Sequence, residues 1–282
     1  AAELLAGRYS LVVTNVPYLG RGKQDDTLKE HLETQYPLGK ADLATAFVLR
    51  CLEFCSQGGS MALVTPQNWL FLTTYTKLRE MLLDRREWNI VARLGPGAFE
   101  TIGGHVVNVT MIGLTAAIPD DAHVMAGIDV SAAKQPEEKA ALLRGDQRAE
   151  VRVVPQAEQL KNPDARITTE SPSSHALLNT IADSYVGLQN GDTPRFIARF
   201  WEAANIGPVW QLFQLTIEDT AIRAGRTGVL RWEGGNGSLV KSESARIQGT
   251  EAWGKRGVTV RIMGELPATL YDGNFYDQSS AA

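Results

Sequence analysis

The chain has 282 residues, of which 44% are hydrophobic and 21% charged. That balance excludes a disordered or fibrous polymer and leaves room for one large core or two domains. No apolar run is long enough to cross a bilayer, and a formal net charge of −4 excludes a basic coat for nucleic acid, so any DNA contact must come from local patches. The N-terminal stretch lacks the charged and apolar regions of a signal peptide. Cys51 and Cys55 fall one turn apart on a predicted helix and read as small core residues in a reducing cytoplasm, not as a disulfide or metal pair. His31, His105, His123 and His175 share no metal-ligand spacing, so no metal site is expected.

In chain order, Tyr9 to Val13 is a short run of β-branched and aromatic residues after Gly7, which predicts a buried strand. It runs into Thr14-Asn15-Val16-Pro17-Tyr18 and then the Gly-rich basic loop Gly20-Arg21-Gly22-Lys23. In an open α/β sheet, ligands bind at the carboxyl ends of strands, so Asn15 and Tyr18, on a backbone stiffened by Pro17, face a site. An ordinary Asn-X-Pro turn would use the same residues. Asp25 to Tyr36 predicts a short polar rim helix. Asp42 is the expected N-cap of a helix over Leu43 to Ser56, with Gly58-Gly59 as its stop. Ser60 to Pro66 reads as a second buried strand, followed by Gln67-Asn68-Trp69-Leu70, so the unit is βαβ with parallel pairing.

Tyr75 to Arg86 predicts an amphipathic helix with Lys77, Arg79, Arg85 and Arg86 on its solvated side, and Asn89 to Leu94 the next strand. Pro96 to Gly104 is a glycine-rich loop carrying Phe99, and Val106 to Leu114 a β-branched strand. Ile118 to Asp121 marks a boundary. Residues 119–173 read as a connector or inserted subdomain, with a helix over Gln135 to Leu143, a strand over Glu150 to Val154 and a solvated run of charge. A helix over Ser174 to Ala182 opens the last region, 174–282. There, aromatic residues interleave with Arg and Lys on glycine-rich loops, a composition suited to phosphate contact and base stacking. For any single Trp or Arg in that region a structural role is the commoner one, so Arg195, Arg231, Lys255 and Arg256 are taken as a group, with Trp232 beside them.

Asn15-Val16-Pro17-Tyr18 resembles the Asn-Pro-Pro-Tyr motif of the amino-group DNA methyltransferases, which modify adenine N6 or cytosine N4. The resemblance implies a base flipped from the duplex. Asn15 and the carbonyl of Val16 would accept the N–H groups of its exocyclic amine, Pro17 would hold the backbone extended, and Tyr18 would stack on the ring. Val16 departs from the family's proline, but a carbonyl does not depend on its side chain. The βαβ unit with Gly-Gly, strand, Pro and Trp resembles the same enzymes. It implies that the helix after Asp42 lines the pocket for S-adenosylmethionine, with Asn15, Asp42 and Phe47 as contacts. Arg21 and Lys23 would meet DNA, and Phe99 would lie on the loop near the target base. No glycine-rich strand-to-helix turn for the methyl donor precedes Asn15, so the donor-binding half is expected elsewhere in a longer polypeptide.

Gly187-Leu188-Gln189-Asn190-Gly191-Asp192 with Arg195, Phe196 and Trp201 resembles the start of the target-recognition region of fused restriction–methylation proteins. It resembles still more the adenine-methylating component of the phage-exclusion system BREX. Arg231 to Asn236 and Trp253 to Thr259 follow the same pattern, although Gly234-Gly235 departs from it. The expected architecture is α/β: the C-terminal half of a class I (Rossmann-like) methyltransferase sheet over 1–118, then a mixed α+β recognition region. The implied activity is site-specific N6-methylation of adenine in double-stranded DNA within a defence system, with S-adenosylmethionine as donor and other defence proteins as partners. A DNA-binding component whose methyltransferase fold no longer catalyses is the alternative. Methylation of RNA or protein would share the motif chemistry.

Overall fold

In the computed structural model, residues 6–99, 107–146, 148–169, 178–203, 205–264 and 266–282 are described. They divide into two compact units, Ala1–Ser173 and Ser174–Ala282.

The first unit is built on a six-stranded sheet in the order β1-β2-β4-β3-β5-β6. β1 (Tyr9–Asn15) pairs in parallel with β2 (Cys55–Pro66), in register from Leu11↔Ser60 to Asn15↔Val64. Between them run α1 (Asp26–Gln35), capped by Asp25, and α2 (Leu43–Phe54), capped by Asp42. The helix stops at Phe54, before the expected Gly58-Gly59, because Cys55 already pairs with Tyr9. The two glycines instead carry the irregularity in the β1–β2 register. Gly58 adopts φ +71°, and a Cβ on Gly59 would stand 2.7 Å from the Tyr9 carbonyl.

A 3-10 turn at Gln67–Leu70 leads to α3 (Thr76–Arg85) and β3 (Glu87–Gly95). β4 (Val109–Thr115) inserts antiparallel between β2 and β3. The stretch expected as a connector supplies the rest of the sheet. β5 (Val124–Asp129) runs parallel to β3, and β6 (Val151–Pro155) antiparallel to β5, with α4 (Pro136–Arg144) between them and α5 (Gln156–Gln159) after them. Val48 and Cys51 of α2, Leu78 and Leu82 of α3, and Met61 and Leu63 of β2 meet in one buried core, to which Met125 and Val154 also belong.

Two cations leave the solvated faces expected of them. Arg79 is fully buried: its guanidinium donates to the carbonyls of Trp69 (2.6 Å), Leu72 (2.8 Å), Asp164 (2.7 Å) and Ala165 (3.1 Å). Lys139, inside the charge run, is 3% exposed and donates to the carbonyls of Leu94 (2.7 Å), Val130 (3.3 Å) and Ala133. Each cation serves carbonyls at element ends and turns; of these, Leu72 and Val130 also accept from the N–H groups of Tyr75 and Ala133.

The second unit has shorter strands. α6 (Thr193–Phe196) leads into β7 (Ile197–Arg199), which with β8 (Trp210–Gln214), β9 (Gly228–Arg231) and β12 (Phe275–Tyr276) forms a four-stranded sheet, β12-β8-β9-β7. β10 (Gly257–Arg261), β11 (Ala268–Tyr271) and β13 (Ser280–Ala281) make a three-stranded one. Of the helix expected over 174–182, Leu178–Thr180 is a single 3-10 turn, and residues 174–177 lie outside the described residues.

Candidate active site

β1 ends at Asn15, and its ladder to β2 carries one rung further, from Val16. Asn15 is exposed at the carboxyl end of the strand, and its side-chain amide makes no hydrogen bond among the described residues. Val16 then drives its side chain, 4% exposed, into the main core, while its N–H donates to the Val64 carbonyl (3.4 Å). A proline here would lack that donor. The departure from the family motif therefore exchanges ring stiffness for core packing and one rung. Pro17 is exposed, and Tyr18 is half-buried against the same core. The Tyr18 hydroxyl is buried without a partner among the described residues. Burial, then the nearby Asp42 carboxylate, pushes its pKa up to about 12, so the phenol is neutral at ordinary pH.

The loop beyond is anchored to the start of α2. The Asp42 Oδ1 accepts from Ala44 N (2.9 Å), as an N-cap does, and also from Leu19 N (3.3 Å). The Leu19 carbonyl accepts from Leu43 N and from Gln24 Nε2, both at 3.0 Å, and Arg21 N donates to the Ala41 carbonyl (2.9 Å). Gln24 is 4% exposed and was not singled out in the sequence; a polar residue in a glycine-rich loop gives no sign that its amide will be buried. Pro17 and Tyr18 make no backbone hydrogen bond among the described residues and are held from either end, by Val16 and Leu19.

Asn15 also borders an apolar groove of about 370 Å³ on the sheet, lined by Val13, Ala62, Val64, Ala92 and Met111 among others. α4 packs over the β3–β5 side of the sheet, where Leu142 and Leu143 meet Leu94 and Val109, and Val13 at the β1 side stays 67% exposed. Phe47 lies on α2, half-buried against the main core. Arg21 is ion-paired with Glu33 (2.6 Å), which also draws Lys40 (3.5 Å), whereas Lys23 is exposed with no partner among the described residues. Phe99 is packed, half-buried, against Leu94, Val109 and Val130; residues 100–106 of its loop lie outside the described residues.

In the second unit the basic group gathers around three aromatic rings. Trp232 packs on Trp253 (5.6 Å between centroids) and Phe275 (4.8 Å), which touch each other at 4.3 Å. Arg231, at the end of β9, is ion-paired with Glu233 (2.9 Å). Arg195 comes to the same end of the neighbouring strand, since Ile197 pairs with Leu230, and its guanidinium lies 4.9 Å over the Phe196 ring. Lys255 and Arg256 are exposed on the loop that leaves Trp253. Trp232 is therefore a packing residue of this cluster, and the more solvent-facing ring is Trp201, 63% exposed. No group of three or more His, Cys, Asp or Glu side chains among the described residues could hold a metal ion, and no described helix is long and apolar enough to cross a membrane.

The sheet, with parallel β1–β2 pairing and antiparallel β4 inserted between β2 and β3, is similar to those of solved restriction–modification enzymes. Two solved structures show the likeness over nearly the whole chain. One is the Type IIL restriction-modification enzyme MmeI in complex with DNA (TM-score 0.58, 13% identity, 96% of this chain and 40% of that one). The other is the Type ISP enzyme LlaGI with a DNA substrate mimic (0.53, 8%, 99% and 35%). At such identities they speak for the fold alone.

Sequence goes further. Residues 2–97 match the Eco57I restriction-modification methylase family. The chain is 39% identical over 110 residues to the adenine-specific methyltransferase PglX of Lacticaseibacillus casei (strain Zhang), covering 38% of this chain and 9% of that protein. It is 39% identical over 109 residues to the adenine-specific methyltransferase BrxX of Escherichia coli O9:H4 (strain HS), covering 39% and 9%. The resemblance drawn from Asn15–Tyr18 and the βαβ unit holds, and each match spans 9% of the relative's length.

Proposed function

We propose that this chain carries the base-acceptor side of a site-specific DNA adenine N6-methyltransferase belonging to a BREX-type or restriction–modification defence system. The observation that carries the reading is the Asn15 amide at the carboxyl end of β1, unpaired among the described residues and next to a Val16 backbone fixed by the core. The lone pair of an adenine amine is delocalised into the ring. Asn15 Oδ1 and the Val16 carbonyl accept its two N–H groups and favour the pyramidal nitrogen that attacks, while the Tyr18 ring stacks on the flipped base. Catalysis is then positioning and fixed dipoles, with no covalent intermediate on the protein.

S-adenosylmethionine, when bound, supplies a methyl group on positively charged sulfur. The residues present fit one side of it: the Asn15 amide, without a partner among the described residues, and Phe47 on α2, while the apolar groove lies on the sheet face turned away from α2. Asp42 is committed through Oδ1 to two backbone N–H groups. In the second unit, Arg195, Arg231, Lys255 and Arg256 around the Trp232 cluster are the phosphate contacts, joined by Lys23 and Arg21 of the first unit. Duplex DNA and other defence proteins are the partners, and residues 174–282 form the recognition region.

The test uses the complete polypeptide that contains this chain, with S-adenosylmethionine bearing a labelled methyl group and unmodified duplex DNA. Digestion to nucleosides should give labelled N6-methyladenosine that disappears in Asn15→Ala. Label retained in Asn15→Ala would sink the reading; no label in either protein, with DNA still bound, would favour the non-catalytic binding component.

A further inference from the structure

We infer that Pro66 is a positioning residue of this site: by withholding an N–H from the β1–β2 ladder, it keeps the Val16 carbonyl free to accept from the substrate amine. The inference rests on the reading of Asn15–Tyr18 above.

In a parallel pair, the residue after one partner donates to the other partner's carbonyl, and the bonds alternate evenly up the ladder. Asn15 is paired with Val64, and the Val16 N–H accordingly donates to the Val64 carbonyl at 3.4 Å. The next rung in the same register would run from the N–H of residue 66 back to the Val16 carbonyl. Residue 66 is proline and has no N–H to give. No backbone or side-chain donor among the described residues reaches the Val16 oxygen in its place. The ladder therefore ends one half-rung early, on the acceptor that the chemistry requires.

Pro66 is otherwise a full member of its strand. It is buried and pairs with Val109 of β4 on its other side. Directly after it, Gln67 N donates to the Asn108 carbonyl (2.8 Å) and the chain enters a 3-10 turn. β2 thus keeps its antiparallel neighbour to the last residue and loses only the bond towards β1. A proline placed merely to stop a strand would serve as well a residue later. Here the missing donor coincides with the one carbonyl, in the whole β1–β2 pairing, that lies between Asn15 and Tyr18.

The experiment compares three versions of the complete polypeptide: native, Pro66→Ala, and one with lactic acid at position 66. The last has the alanine side chain but an ester oxygen where the N–H would be. Pro66→Ala should lower kcat about 100-fold, the scale seen when one preorganised polar contact to a reacting group is lost. KM for DNA and for S-adenosylmethionine should stay within about twofold, and the backbone amide that Pro66→Ala introduces should be protected from hydrogen exchange. The lactate version should regain most of the lost kcat. Native-like kcat in Pro66→Ala overturns the inference while leaving the assignment of Asn15 standing. So does a loss that lactate fails to restore, which would make Pro66 merely structural. Should Pro66→Ala not fold, the lactate version alone decides: activity well below native overturns the proposal. An inactive native protein would instead strike at the functional reading itself.

Discussion

The two units solve the problem of holding a few exposed groups in different ways. In the first, a six-stranded sheet and two long helices bury a broad aliphatic core, and the working groups stand where one strand of that sheet ends. In the second, strands of two to five residues enclose a small core, and a knot of Trp232, Trp253 and Phe275 takes the place of long elements. Under the function proposed above, the difference suits two tasks. A reacting nitrogen must be placed within fractions of an ångström, which rewards a stiff sheet. A charged duplex is gripped by several contacts, each of modest strength, which tolerates loops.

That division can be broken or sharpened by mutation. The largest effect is expected from Asn15→Ala: methylation should fall by about a thousandfold or more while DNA affinity in a filter or anisotropy assay stays within about twofold. A parallel loss of DNA binding would erase the division. Next, Arg79→Met should destabilise the first unit by about 3–5 kcal/mol in urea titration, because it leaves the carbonyls of Trp69, Asp164 and Ala165 without a donor among the described residues. The exposed Arg85→Met on the same helix should change stability by less than about 0.5 kcal/mol.

Of intermediate size, Lys255→Ala combined with Arg256→Ala should weaken DNA binding for all sequences alike. The slope of log affinity against log salt should become shallower by about two. An unchanged slope would remove that loop from the DNA surface. The smallest effect belongs to Tyr18→Phe, since the hydroxyl has no partner to lose among the described residues. Its pKa stands at about 12 in the fold against an ordinary 10.0, so it favours the folded state fully below pH 10 and that contribution fades as pH rises towards 12. Tyr18→Phe should therefore soften alkaline unfolding between about pH 10 and pH 12. The softening will be partial, because Tyr75 and Tyr276 are raised to about 12 as well.

What could be read in advance follows the same divide. The βαβ unit announced itself through long periodic stretches and a capping Asp42, and Asn15–Tyr18 through residue types that have little business at the end of an apolar run. The burial expected of that run fails, because β1 stands at the end of the sheet among the described residues, with none of its own residues buried. Arg79 and Lys139 did not, since spacing along a helix assigns a cation to solvent. Their actual partners, carbonyls at 164 and 165 or at 94 and 130, are distant in sequence or lie beyond a turn. Gly58-Gly59 looked like a helix stop because that is the commoner use of such a pair; only the pairing of Cys55 with Tyr9 reveals the irregular ladder. In the second unit, strands too short to show a period left composition as the only guide. Composition placed Trp232 beside the basic group; the packing of its ring on Trp253 and Phe275 could not be read from it.

One feature of the sheet also bears on handling in solution. β1 is the last strand in its row among the described residues, and its Leu11 and Val13 side chains are 60% and 67% exposed. A strand with open backbone groups along its outer side and bare aliphatic residues is a template on which another strand can add. Preparations of this chain will therefore show an apparent molar mass that climbs with concentration. A single lysine at position 11 or 13, leaving Asn15 and the core side of the strand untouched, is the substitution that should hold it monomeric.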